Sequence, residues 1–361
     1  MKKVKRIIAL FTCAALLSVS YVFSLAAPVE VNGCNWMSVI EDKTSLADIS
    51  MPGTHDTAAT YVAFGIAARC QHKVIPEQLN CGARFLDIRL RKDGEQLKLV
   101  HNFINCRKGS GFSAPKLYFD DVTGYCIDFL EKNPGETILL FVKRDSGSGS
   151  GFEDILLDYI AQNPSKWYTE NRVPKLGEVR GKMVLLNRFS GAGTALNDQN
   201  GGINLSNFPS HAANEGSYQT LGLDSFSGSM ISSYTVQDHY KYPKEDKWEQ
   251  GILPTLEEEK TPGGLLINFF STASGISPEI NAKYINKQAL AYNFKHDKCY
   301  GAVLFDFITP DLAKAVYSCN DAVRSPSAQG ETGVEMAVPD PQDGSIKFLD
   351  SFWAFLISLF S

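Results

Sequence analysis

Short apolar runs rich in β-branched and aromatic residues recur along the chain, often with a stretch of helical spacing between them. The runs predict strands at Leu46–Met51, Arg84–Leu90, Leu97–Val100, Thr137–Val142, Met183–Asn187, Met230–Val236, Leu265–Phe270 and Ala302–Phe307. Helical spacing predicts helices at Asp121–Glu131, Phe152–Asn163, Glu279–Lys295 and Pro310–Cys319. Alternation of this kind implies an α/β domain built on a parallel sheet. Eight strands with no glycine-rich dinucleotide turn favour a single-domain, TIM-type (β/α) barrel over a doubly wound sheet.

The two ends of the chain depart from this pattern. Lys2, Lys3, Lys5 and Arg6 precede an apolar run from Ile7 to Phe23, followed by Ser24-Leu25-Ala26. That is the layout of a signal peptide (residues 1–26), and it predicts a secreted protein. The predicted catalytic barrel then spans 27–324. Residues 325–347 are rich in Ser, Pro, Gly and acidic side chains and read as a polar linker. The apolar tail 348–361 is too short to span a bilayer alone. It reads as a membrane-interfacial segment, with a removable lipid-anchor signal or a helix packed on the domain as alternatives. The flexible stretch 146–151 is either a mobile rim or a slack connection.

At 361 residues, 44% hydrophobic, the chain can bury a full core. A net charge of −5 without a basic run argues against nucleic acid as a partner. Nothing indicates an oligomer, so a monomer is expected. Cys13 falls in the leader, leaving Cys34, Cys70, Cys81, Cys106, Cys126, Cys299 and Cys319. An exported chain predicts disulfides among them, with at least one thiol left over because seven is odd. No spacing resembles a zinc motif.

Ionisable residues cluster at predicted strand ends, where a barrel builds its active site. The first strand runs into Pro52-Gly53-Thr54-His55-Asp56; the second carries Asp87 and Arg89. The third ends at His101, the fourth at Lys143-Arg144 and the fifth at Arg188; the sixth leads to Asp238 and Tyr240, and the last contains Asp306. Charge in such positions is costly unless paired or used. Two histidines with nearby carboxylates suit a general base and a general acid. Arg89, Lys143 and Arg188 suit an anion between them, because arginine pairs bidentately with phosphate oxygens. Together they describe a phosphodiester site in which an internal hydroxyl can attack without a metal. His72, His211, His239 and His296 have no such setting and read as surface or structural. Arg144 and Asp145 read as exposed loop charges, and Asp87 could simply pair with Arg89 or Arg84. Asn204 opens a glycosylation triplet of the kind common by chance.

The segments Leu46–Thr57, Ala83–Arg89, Val100-His101, Val236–Tyr240 and Ile267–Ser271 resemble phosphatidylinositol-specific phospholipase C of the bacterial, metal-independent type. The likeness runs from about Asn35 to Cys319. It implies a distorted (β/α)8 barrel that cleaves phosphatidylinositol in membranes, or glycosylated inositol lipids, to diacylglycerol and inositol 1,2-cyclic phosphate. On this resemblance His55 is the base, oriented by Asp306, and His101 the acid, partnered by Asp56. Arg89 neutralises the phosphate with Asp87 beside it. Lys143, Arg188 and Asp238 bind inositol hydroxyls, and Tyr240 offers a ring face. The calcium-dependent relatives place an amide after the first histidine and a carboxylate where Arg89 stands. Asp56 and Arg89 therefore imply no metal and no cofactor. Two rivals remain at this level: a metal-dependent glycerophosphodiester phosphodiesterase, and a non-catalytic inositol-lipid or membrane-binding module on the same barrel.

Overall fold

The architecture comes from a computed structural model, which describes residues 30–145, 150–189, 195–209, 217–259, 263–275, 277–296 and 298–323. The predicted leader, His211, the linker, the tail and most of the glycine–serine stretch lie outside the described residues. In chain order the strands are β1 (Met51–Thr54), β2 (Phe85–Asp93), β3 (Gln96–His101), β4 (Ile104–Asn105), β5 (Ile138–Arg144) and β6 (Trp167–Tyr168). They continue with β7 (Met183–Arg188), β8 (Ile203–Asn204), β9 (Gln219–Asp224), β10 (Met230–Gln237), β11 (Leu265–Phe269) and β12 (Ala302–Phe305).

A continuous parallel ladder runs β7-β5-β2-β1-β12-β11-β10. Its strands read as unbroken apolar runs because both faces are covered. β8 joins the β7 edge in parallel, and β9 lies antiparallel on β10. Side chains carry the contact between these two ends. Asn204 Nδ2 donates to the Asp224 carbonyl at 3.0 Å, and Asn207 Nδ2 to the Gly222 carbonyl at 2.7 Å. The result is a distorted (β/α) barrel. Phe85, Phe141, Phe208 and Phe269 fill its interior, with ring centroids 5.3–6.4 Å apart along the cluster.

Helices flank the sheet where the apolar spacing predicted them. Phe119–Lys132 buries Phe119, Val122, Cys126, Phe129 and Leu130 on one face, and its Asp121 carboxylate accepts the Tyr118 N–H at 3.0 Å. Pro310–Tyr317 opens with Thr309, whose hydroxyl accepts the Leu312 N–H, and with proline at the first helical position. The helices predicted at Phe152–Asn163 and Glu279–Lys295 are Phe152–Gln162 and Pro278–Ala291.

Two strand predictions need correction. Leu46–Asp48 is a 3₁₀ turn, nucleated by the Ser45 hydroxyl accepting the Ala47 N–H, and the strand begins at Met51. Gly53 is required there: a Cβ would come within 2.7 Å of the Phe85 carbonyl on the neighbouring strand. The predicted third strand exists, but β3 pairs antiparallel with β2 and so is a hairpin outside the parallel ladder. Its turn is Gly94-Glu95, with Gly94 at φ +67°.

The predicted disulfides are absent: all seven cysteines from Cys34 onward are free thiols in this structure, and five of them are buried. They pack as small apolar groups instead; Cys126, for example, points into the core from the Phe119–Lys132 helix. The Asn204 triplet is no glycan acceptor in this fold, because Asn204 is buried and its Nδ2 donates to Asp224.

Candidate active site

β1 ends at Thr54, and the chain turns at once through His55 and Asp56. Asp56 adopts a left-handed conformation (φ 41°), uncommon for a non-glycine residue and typical of functional turns. The turn is held from below: the Asp56 N–H donates to Asp87 Oδ2 at 3.1 Å, and Gln71 Nε2 donates to the His55 carbonyl at 2.9 Å. His55 stands edge-on to Phe269, with centroids 6.0 Å apart.

Both ring nitrogens of His55 are engaged. Nδ1 lies 2.7 Å from Asp306 Oδ1 on the loop after β12, and Nε2 lies 2.9 Å from an Arg89 guanidinium nitrogen. Because the guanidinium can only donate, Nε2 accepts and Nδ1 carries the proton toward Asp306. Burial disfavours the His55 imidazolium, but Asp306 and Asp56 more than offset it, so its pKa is raised above the ordinary 6.5.

Arg89 projects from β2 between two carboxylates, with Nε 2.9 Å from Asp56 Oδ1 and a terminal nitrogen 3.1 Å from Asp87 Oδ2. Burial opposes ionisation of Asp87, yet Arg89, His55 and Arg188 hold it well below the usual carboxylate range. Asp87 therefore pairs with Arg89, as one of the two structural readings anticipated. Arg84 is engaged elsewhere, with Glu136 at 2.8 Å. His101 is the last residue of β3, beside the turn into β4, and so does not end a strand of the parallel ladder. Its Nδ1 lies 2.7 Å from the Ala68 carbonyl, so a backbone oxygen, not an acid, fixes this ring. Asp56 Oδ2 stands 3.6 Å from His101 Nε2 and 3.4 Å from His55 Nε2, between the two rings.

These groups surround a cavity of ≈ 340 Å³. Nine of the ten residues singled out by sequence line it: His55, Asp56, Arg89, His101, Lys143, Arg188, Asp238, Tyr240 and Asp306. Asp87 is wholly buried beneath Arg89 and supports it. Arg188 lies over Phe208, 3.8 Å from the ring centroid, and burial lowers its pKa against the pull of Asp238 and Asp87.

Some sequence readings change. Asp145 is buried, not an exposed loop charge: it accepts the Asn102 N–H at 3.0 Å and Lys143 Nζ at 3.3 Å, tying the His101 hairpin to β5. Arg144 is the last residue of β5 and not an exposed loop charge, and it pairs with the buried Glu153 at 3.2 Å. His239 is structural, stacked on Tyr242 with Nε2 3.0 Å from the Ser217 carbonyl. Cys70, Asn102 and the Ser271–Gly275 segment line the cavity without having been anticipated. Of these, only Asn268-Phe-Phe-Ser271, at the end of β11, carried a sequence hint, and Asn268 itself is buried in a network with Gln237.

No family model matches the chain. A curated relative, 1-phosphatidylinositol phosphodiesterase of Staphylococcus aureus (strain Newman), is 29% identical over 259 residues, covering 67% of this chain and 76% of the relative. The Listeria monocytogenes protein of the same name is 33% identical over 165 residues, covering 42% of this chain and 47% of its own length. A solved phosphatidylinositol-specific phospholipase C of S. aureus superposes with a TM-score of 0.64 at 25% identity, over 80% of this chain and 98% of that one. The L. monocytogenes structure of the same name shares the fold, with a TM-score of 0.60 at 24% identity over 80% of this chain and 99% of that one. In sequence along most of the barrel, and in architecture, this chain is similar to the bacterial phosphatidylinositol-specific phospholipases C.

Proposed function

We propose that the protein is a phosphatidylinositol-cleaving phosphodiesterase that forms diacylglycerol and inositol 1,2-cyclic phosphate, with slower hydrolysis of the cyclic ester afterwards. The observation that carries this reading is the His55 ring, aligned between Asp306 and Arg89 and facing His101 across Asp56. His55 Nε2 takes the proton of the inositol 2-hydroxyl as its oxygen attacks phosphorus. His101 gives a proton to the departing diacylglycerol oxygen. Asp56 Oδ2 lies between the two rings, 3.4 Å from His55 Nε2 and 3.6 Å from His101 Nε2.

Arg89 has two tasks in this scheme. Without substrate its guanidinium covers the lone pair of His55 Nε2. A phosphate anion draws it away, so charge neutralisation and exposure of the base occur together. Because the guanidinium fills the space between Asp56 and Asp87, where a dication would sit, we read the reaction as metal-free. Lys143, Arg188 and Asp238 face the inositol hydroxyls, and Tyr240 the ring. Phosphorus NMR of phosphatidylinositol vesicles in excess chelator tests this: a cyclic phosphodiester resonance precedes inositol 1-phosphate. Turnover that required calcium would overturn the metal-free scheme.

The pH profile tests the His55–Asp306 pair. The base must be neutral, so activity rises with pH through a His55 pKa that lies above 6.5. Asp306→Asn removes a carboxylate that favours the imidazolium. Its acid limb therefore shifts to lower pH, alongside a lower rate. An unshifted limb would remove Asp306 from this role.

A membrane partner fits the cavity rim. Phe64, Ile66, Phe103 and Phe112 are 62–77% exposed. Ile66 immediately precedes Ala67, with Phe64 two residues before it, and Phe103 follows Asn102; Ala67 and Asn102 both line the cavity. Exposed apolar groups beside a polar cleft suit contact with a lipid surface. Phe64→Ser with Ile66→Ser weakens vesicle binding about a hundredfold, taking ~1.5 kcal/mol per buried apolar side chain, and spares hydrolysis of a soluble headgroup ester. Equal binding by the variant would reject the rim as a docking face. Export with cleavage after Ala26 belongs to the same proposal, and N-terminal sequencing of the secreted product tests it.

A further inference from the structure

We propose that Asp56, Cys70 and His101 form a site for a thiophilic divalent cation of the zinc class, and that its occupancy blocks the reaction. The inhibitory part rests on the function proposed above; the binding part does not. One ligand atom from each residue, a carboxylate oxygen, Sγ and an imidazole nitrogen, lies within 4.8 Å of the others. Oxygen, sulfur and nitrogen in one compact group is a donor set that zinc accepts.

Three details make this more than proximity. The Ala68 carbonyl holds His101 Nδ1, which leaves the Nε2 lone pair of the neutral ring pointing into the cavity. A backbone carbonyl on the far nitrogen is the usual support of a metal-bound histidine. Asp56 is 2% exposed, and its Oδ2 has no hydrogen-bond partner, because Arg89 engages Oδ1. Cys70 is 1% exposed yet lines the cavity, so its sulfur faces the site rather than the core. Water from the cavity can complete a tetrahedral shell.

This position is distinct from the space between Asp56 and Asp87 that Arg89 fills. On coordination the thiol yields its proton to solvent, and His101 Nε2 donates its lone pair to the metal. The ring can then no longer deliver a proton to a leaving oxygen. The chain thus carries beside its acid a sulfur ligand that the acid–base chemistry does not use.

The test uses the full chain with metal alone. Cobalt(II) added as a probe gives one equivalent of binding with a thiolate-to-cobalt charge-transfer band, and zinc displaces it. Cys70→Ser loses the band, and its zinc affinity measured by calorimetry falls at least about tenfold, the lower end of what weaker, supporting ligands cost. Relative to its own metal-free rate, it is less inhibited by zinc than the parent. His101→Gln keeps the thiolate band but binds more weakly, which guards against a Cys70→Ser chain that fails to fold. No cobalt binding, binding without the band, or equal zinc affinity in Cys70→Ser would each overturn the site. Cobalt binding to a parent chain with no metal-free turnover would instead keep the site and sink the catalytic reading.

Discussion

Replacing His55 or His101 by alanine lowers kcat by about 10²–10⁴-fold in each case, the usual worth of a positioned acid or base. Each loss comes from a different event. Without His55 the 2-hydroxyl loses its base, and Asp306 does not replace it, because its Oδ1 lies behind the ring, against Nδ1. Without His101 the diacylglycerol oxygen departs unprotonated. A substrate whose leaving group is a stable phenolate needs no such proton. His101→Ala therefore recovers much of its rate on that substrate and His55→Ala does not. The double variant loses less than the product of the single losses, since residues acting as a unit are not additive. Steady-state rates on both substrates, with circular dichroism to verify folding, make the measurement. Full turnover in either single variant would end the acid–base assignment, and equal recovery in both would end the division of roles.

Glu136→Gln destabilises the fold by about 3–5 kcal/mol, the cost of stranding one member of a buried ion pair. Arg84 and Glu136 are both wholly buried and 2.8 Å apart. The guanidinium also donates to the carbonyls of Leu79, Ala83 and Gly33, and lies over the rings of Trp36 and Phe129. Burial lowers the Arg84 pKa and raises that of Glu136 in spite of their attraction, so desolvation outweighs pairing for both. The pair thus adds little net stability, yet neither partner tolerates loss of the other. Arg84→Met combined with Glu136→Gln accordingly costs less than the two single losses added together. Urea unfolding of all four proteins closes the cycle. A Glu136→Gln midpoint equal to that of the parent would show that Arg84 is satisfied by carbonyls alone.

Much of the architecture is legible in the sequence. Apolar runs buried on both faces mark the central parallel strands, because such strands have no solvent side to alternate with. The helix at Pro310 was equally plain, with a threonine cap, proline at the first helical position and apolar side chains at helical spacing. The direction of β3 is less plain, although Asp93-Gly94 carries a hairpin signature between two apolar runs. An apolar run does not state its direction, and direction is what separates a barrel strand from a hairpin arm. Leu46–Met51 misled for a related reason: a short apolar run fits a strand and a turn equally, and one serine hydroxyl settled it.

The candidate site divides the same way. Chemical identity was written in the sequence, since charged side chains next to apolar strands must be paired or used, and nine of the ten residues selected on that ground line one cavity. The geometry belonged to tertiary structure alone. Whether His101 is held by an acid or by a backbone carbonyl, and whether Asp145 faces solvent or anchors a hairpin, depends on segments more than thirty residues away. Cys70 shows the limit most clearly: an isolated cysteine in a loop reads as one member of a disulfide set, and only the fold turns its sulfur toward His101. Local sequence determines which groups a chain can bury in which kind of element. Which of those groups meet is decided by packing between distant segments, and proton transfer and ligand binding depend on that meeting.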